Sequence, residues 1–165
     1  GVALSPSTGY TGGGLAEPNS VALDNSGSAW VANSFARNLS KFSNSGTPSS
    51  PPTGYGGGGM IGPVEVAMDG SGDVWVANAQ YTEEVSELSN AGAPLSPSIG
   101  YPALLNPSGI AVDGSGDVWV SNILAPGSGV LSEFIGIATP VVTPVCAGLP
   151  ATPTANGSSN LGTRP

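Results

Sequence analysis

Asp69-x-Ser71-x-Asp73 and Asp113-x-Ser115-x-Asp117 alternate carboxylates with a hydroxyl, the spacing with which the first half of a calcium loop gathers oxygen ligands. A complete loop of that kind also needs a bidentate glutamate at its far end, where this chain has Gln80 and Leu124. The earlier copy, Asp24-Asn-Ser-Gly-Ser28, lacks the second aspartate, which a turn tolerates and a cation site does not. These stretches therefore read as turns, and no metal or other cofactor is expected. Nucleophilic catalysis has little to work with either. Cys146 and the many serines have no histidine to activate them, because the chain contains none, and Lys41 falls in a strand that looks exposed. Glu83 and Glu84 are adjacent carboxylates in a loop of variable length, a solvated turn before an acid-base pair. Asn33, Asn78 and Asn122, with Glu17, Glu65 and Asn106 near the start of the preceding strands, are the candidates for contacting a polar ligand or glycan. The competing reading makes the asparagines strand-end caps. Trp30, Trp75 and Trp119 could stack on sugars, but identical placement in each unit is what core packing requires.

These residues are positioned by one repeated stretch. Gly109 to Asn122 (GIAVDGSGDVWVSN), Val64 to Asn78 (VEVAMDGSGDVWVAN) and Asn19 to Asn33 (NSVALDNSGSAWVAN) each hold an apolar run, an aspartate-led turn and a second apolar run carrying tryptophan. The tryptophans are 45 and 44 residues apart, so the repeat is a structural unit. Runs such as Val66-Ala67-Met68 and Val74-Trp75-Val76-Ala77 are apolar on both faces and must be covered on both. A third strand follows at Leu39 to Ser43, Val85 to Ser89 and Leu131 to Phe134; it alternates in polarity and is expected to be more exposed. A fourth, proline-bearing segment at Leu4 to Ser7, Ser49 to Thr53, Leu95 to Ile99 and Thr139 to Val145 is expected to form an edge strand, since proline cannot donate to a ladder.

Four strands in a unit of about 45 residues is the pattern of a β-propeller blade, an all-β, antiparallel architecture. The stretch PSGIAVDGSGDVWVSN (Pro107 to Asn122), followed by VLSEF (Val130 to Phe134), resembles the NHL-repeat β-propellers and, among them, the streptogramin lyase-like (virginiamycin B lyase-like) proteins. The resemblance covers about residues 4 to 145 and implies three blades of an incomplete ring. It also implies a histidine acting beside magnesium, and here it departs from the family: with no histidine in the chain, that role has nowhere to fall.

The organisation expected is a surplus outer strand at 1–8, blades at 9–53, 54–99 and 100–145, and a low-complexity tail at 146–165. Three blades fall below the roughly four to eight of closed rings, so the chain is expected to be part of a longer propeller or to be completed by other copies of itself. Gly1, Val2, Ala3, Leu4 and Cys146 are the residues expected to take part in assembly, the lone cysteine as a buried small hydrophobe or an intermolecular bridge. Composition narrows the partners. A net charge of −8, with only Arg37, Lys41 and Arg164 positive, excludes the basic clusters that phosphate binding needs, so no nucleic-acid partner is expected. The longest apolar runs fall far short of a bilayer span. Glycine (26) and proline (16) make about a quarter of the chain and read as turns between short strands. The Ser/Thr/Gly/Asn-rich, lysine-poor composition suggests a secreted, extracellular protein of bacterial type. Asn38-Leu-Ser40 and Asn156-Gly-Ser158 match glycan acceptor triplets, which matter only in a glycosylating pathway. The function expected is a non-enzymatic module for binding or structural assembly; the alternative is a fragment of a streptogramin lyase-like enzyme whose catalytic residues lie elsewhere.

Overall fold

A computed structural model describes residues 5–80, 83–102 and 105–141. The assembly residues Gly1 to Leu4 and Cys146, and the tail at 146–165, lie outside the described residues. The rest forms three antiparallel sheets. The first contains β1 (Pro18–Leu23), β2 (Ala29–Asn33) and β3 (Asn38–Phe42); the second β4 (Pro63–Met68), β5 (Val74–Asn78), β6 (Glu84–Leu88) and β7 (Tyr101–Pro102); the third β8 (Pro107–Val112), β9 (Val118–Ala125) and β10 (Ser128–Phe134). Strand order follows sequence order in each, so every sheet is a meander built from the repeated hairpin. The first strands β1, β4 and β8 lie side by side, which makes the sheets successive blades around one axis. No helix among the described residues is long and apolar enough to cross a membrane.

Burial is concentrated between blades. Trp30, Ala32 and Leu39 of the first pack with Val66, Val74, Val76 and Leu88 of the second, with Met60 from the connection between them. Trp75 and Val85, on the opposite face of the second blade, pack with Val118 and Val120 of the third, flanked by Ile110 and Phe134. Strand alternation explains the division, because Trp75 and Val76 point to opposite faces of β5. The central strand is thus apolar on both sides because it has a blade on both sides. In each blade the first strand pairs with the second across a bulge directly after its opening proline, at Pro18/Ser20, Pro63/Glu65 and Pro107/Gly109.

Two expectations are corrected. The third strand is not the exposed one: β3 and β6 are buried along nearly their whole length, and only β10 is open. Their polar residues serve the interior, as Ser40 and Ser86 each accept a hydrogen bond from a buried asparagine amide. Nor do the fourth segments form edge strands over Ser49–Thr53 and Leu95–Ile99. Pairing shrinks to single bridges just before them, Phe42 with Pro48 and Leu88 with Pro94, and to the amides of their first two residues donating to the Lys41 and Glu87 carbonyls. The chain then turns, with the Gly54 amide donating to the Pro51 carbonyl and that of Gly100 to Pro97, both at 2.8 Å. It returns to the edge only at the tyrosines, Tyr55 opposite Leu39 and Tyr101 opposite Val85. Each tyrosine thereby closes the blade before it. At the N-terminus, residues 5–9 hold the same turn (Gly9 amide to Pro6 carbonyl, 2.9 Å) rather than a strand. Of Thr139–Val145 only 139–141 are described, and they dock on the turns of the second and third blades, the Thr139 amide donating to Asp69 Oδ2 and the Val141 amide to the Asp113 carbonyl, both at 3.0 Å.

The division of burial yields a prediction. Trp75→Ala, emptying a fully enclosed site, is expected to cost about 3–5 kcal/mol, whereas Trp119→Ala, on the half-covered third blade, should cost less than half as much. Denaturant melts of the two variants check the ranking; equal losses would show that the third blade is covered as well as the second.

Candidate functional site

The two ends of the blades differ. At the end carrying the first hairpin, the expected turn forms in all three copies around one carboxylate. Asp69 Oδ1 accepts from the amides of Ser71 and Asp73, both at 2.9 Å, and Asp24 and Asp113 repeat the arrangement. Glycine in the fourth place supplies the left-handed conformation that closes the turn, as Gly72 does at φ 86°. The second carboxylate oxygen holds the indole six residues on. Trp30, Trp75 and Trp119 donate Nε1–H to Asp24, Asp69 and Asp113 at 3.3, 3.4 and 3.1 Å. The sugar-platform reading therefore finds two of the rings wholly buried between blades and all three tied to a turn.

These carboxylates anchor the turns and are held ionised by their donors. Burial pushes the Asp24 carboxyl up, but hydrogen bonds from Ser26, Ser28, Trp30 and Lys41 outweigh it and hold the group well below the usual carboxylate range. Asp69 is lowered in the same way, with burial opposed by donors from Thr139, Ser71, Asp73 and Trp75. Asp113 is lowered by Trp119 and the Asp117 and Ser115 amides.

One cluster at this end was not read from the sequence. Lys41 Nζ is enclosed between blades, 3.3 Å from Asp24 Oδ2, 2.8 Å from Asn90 Oδ1 of the next blade and 4.6 Å from the Trp30 ring centre. Half-buried and paired, it is a tie between blades rather than the exposed lysine its strand suggested. In the second blade the same place holds Glu87, which accepts from the Tyr101 hydroxyl at 2.9 Å. Burial and the neighbouring Asp73 and Asp69 raise its carboxyl despite that bond, and burial with the Glu87 charge pushes the tyrosine up to about 12. The signal available was a charge reversal, Lys41 against Glu87 and Glu133, within an otherwise repeated position.

At the opposite end lie the candidate ligand residues. Asn33 and Asn78 are fully buried and Asn122 nearly so, and their amides are taken up within their own blades. Asn78 Nδ2 donates to Ser86 Oγ and the Glu84 carbonyl, while its Oδ1 accepts the Ile61 amide at 3.2 Å. Asn33 does the equivalent with Ser40, Asn38 and the Ala16 amide. They bind the loop leading to the first strand onto the end of the second. Asn122 donates to Ser132 Oγ and the Val120 carbonyl, but its Oδ1 is buried with no hydrogen-bond partner among the described residues. Glu65 lies inside β4, not at its start, and accepts from Ser20 Oγ on the neighbouring first strand at 2.5 Å. Glu17 and Asn106 are exposed, each in left-handed backbone at φ 50° and 54° directly before the opening proline. Gly62 takes that place in the second blade. Arg37 and Glu83 repeat the conformation at the starts of the third strands, so four strained, mostly charged positions share this end. Glu84, beside Glu83, turns inward and is buried. The candidates are thus grouped on one end of the blades, with the asparagines as its buried frame and Glu17 and Asn106 as its exposed groups.

No protein-family model matches the sequence, and no curated protein matches it. Solved structures do, at low identity. The chain is similar to virginiamycin B lyase from Staphylococcus aureus (TM-score 0.50, 16% identity, 74% of this chain and 42% of that one). It is similar to a chain of a nidogen/laminin complex (TM-score 0.57, 15% identity, 74% and 45%). A gluconolactonase from Xanthomonas campestris matches likewise (TM-score 0.52, 17% identity, 76% and 47%). Identities this low establish the fold, which is that of β-propellers as the resemblance implied. The chain spans less than half the length of each of these three.

The anchoring carboxylates set the response to acid. Carboxyls held low in the folded chain contribute stability that is fully present above their ordinary value and is lost as pH falls through the depressed one. Stability measured by denaturant melts should therefore decline steadily below about pH 4, after a slight gain at higher pH as Glu87, shifted upward, takes up its proton. Asp69→Asn keeps one acceptor but turns an amide donor toward the Trp75 and Thr139 donors, and is expected to cost about 1–3 kcal/mol at neutral pH and to flatten the acid decline. An unchanged pH profile in this variant would remove Asp69 from the account.

Proposed function

We propose that this chain is a non-enzymatic, secreted β-propeller module for binding or structural assembly, completed by further blades or by copies of itself. The observation that carries it is apolar surface on both outer faces. Val21 and Leu23 on the first blade are 63% and 67% exposed, whereas Val66 and Met68, in the same places on the second blade, pack against the first. At the other end Leu131 is 63% exposed where Leu39 and Val85 are fully buried. Faces of this kind are covered in each interior position of the chain and call for a cover here too. The absence of histidine, and the commitment of the turn carboxylates to backbone amides and indoles, speak for binding over catalysis. A polar ligand or glycan would meet the end carrying Glu17 and Asn106; the composition supports an extracellular setting.

A second reading, part of an enzyme with its catalytic residues on other blades, draws on the likeness to a lyase and a gluconolactonase and on the short span of those proteins that the chain covers. Assays of the purified chain for virginiamycin B lyase and gluconolactonase activity should show none under either reading; the two separate in the parent reading frame, where further blades carrying histidine would favour the enzyme. For assembly, light scattering on a size-exclusion column should give a mass above the monomer that rises with concentration. A folded monomer at every concentration would overturn the proposal.

A further inference from the structure

Residues 5–15 are one half of a joint whose other half is the third blade. The same segment occurs twice more, at 50–60 and 96–104, and the first of these copies shows what it does when both sides are filled. Tyr55 pairs with Leu39 through two 2.8 Å backbone hydrogen bonds and lies on Trp30, ring centres 5.5 Å apart. Tyr101 does the same with Val85 and Trp75, at 5.8 Å. Ser50 and Ser96 Oγ accept the Lys41 and Glu87 amides and donate to the Gly13 and Gly58 carbonyls. The copy at 50–60 is thus clamped between the third strand of one blade and the outer loop of the next.

In residues 5–15 only the second side is made. The Tyr10 ring lies against Gly46 as Tyr55 lies against Gly92, and Gly12 and Gly13 meet Pro48 and Ser50 as Gly57 and Gly58 meet Pro94 and Ser96. The Pro6–Gly9 turn is formed. Among the described residues the first side is unfilled: Gly54 abuts Asn38 and Gly100 abuts Glu84, but Gly9 has nothing within 4 Å. Ser5 is in the place of Ser50 and Ser96. On the third blade the complement is missing among the described residues. Leu131 stands exposed in the place of Leu39 and Val85, and among the described residues no ring lies on Trp119.

We infer that the segment 5–15 of a second copy of this chain docks on the edge of β10, Tyr10 opposite Leu131 and against Trp119, and that the contact is made twice to close a six-bladed pair. This rests on the assembly reading above and names its joint. The blade faces agree with it, since Val21, Leu23, Val31 and Phe42 repeat the positions of Val66, Met68, Val76 and Leu88 that pack against a Trp-bearing face. Two sets of three blades give a ring within the usual range of about four to eight, and a contact repeated by a two-fold axis leaves no open end.

The test uses the full chain with Cys146→Ala, carrying both Tyr10→Cys and Leu131→Cys, oxidised at micromolar concentration and run on denaturing gels. A covalent species of twice the chain mass, with nothing larger, is expected. A ladder of higher multiples would mean an open filament, a disulfide within one chain would mean self-capping, and no disulfide in a sample that light scattering shows to be assembled would mean a different joint; each overturns the inference while leaving the assembly reading standing. A monomer by scattering overturns both. In parallel, Tyr10→Ala should raise the concentration for half-assembly on the order of tenfold or more, as expected for an interfacial aromatic pair, while Tyr10→Phe stays within a few fold of the parent. Equal behaviour of all three would also sink the proposed contact.

Discussion

Every blade here is a thin sheet whose central strand is apolar on both faces, and such a sheet is stable only while something covers each face. In the middle of the chain the cover is another blade. The tryptophan face of one sheet receives the valine face of the next, and Trp30 and Trp75 disappear into those two interfaces. The packing is directional, because strand alternation assigns tryptophan to one face and Val74 and Val76 to the other. A stack of this sort has a donor face at one end and a receiver face at the other. Folding and association are therefore one problem at the outer blades, where the same burial has to come from beyond the three sheets.

Within a blade, the aspartate couples the turn to the interface. One oxygen closes the hairpin by accepting amides of its own loop, and the other holds the indole that fills the space between blades. An ionised carboxylate with several donors loses little by being enclosed, which is why a buried Asp24 or Asp69 remains charged. Where the repeated pattern is interrupted, the same oxygen is used differently. Asn90 and Lys41 approach Asp24 between the first two blades, whereas the backbone amide of Thr139 approaches Asp69 between the second and third. Gly136, with no side chain, stands where Asn90 would.

The opposite end is framed by asparagines that complete backbone hydrogen bonding and by left-handed residues that costlier side chains occupy at Glu17 and Glu83. Glycine at Gly62 shows that the backbone at this position does not need a side chain. Strain kept at loops around a rigid frame is the usual setting for recognition. One end of the blades is thus closed and internally satisfied, and the other is looped and carries exposed polar and charged groups at Glu17 and Asn106.

Repeat length, the two apolar runs, the turn aspartate and the tryptophan were enough to give blades of antiparallel strands, because period and turn chemistry are local properties of the chain. The strand-cap role of Asn33 and Asn78 was legible for the same reason. Burial of the third strand was not. Leu39-Ser-Lys-Phe alternates like a half-exposed strand, and only the tertiary structure supplies the tyrosine segment that covers it and the asparagine that satisfies Ser40. The Lys41 tie to Asn90 was likewise decided by a contact between residues distant in sequence, whereas the aspartate-indole bond spans six residues and the turns of the proline segments close over three. A single sequence carries the types of such partners but not their juxtaposition, since hydrogen-bond geometry and enclosure exist only once the sheets are stacked.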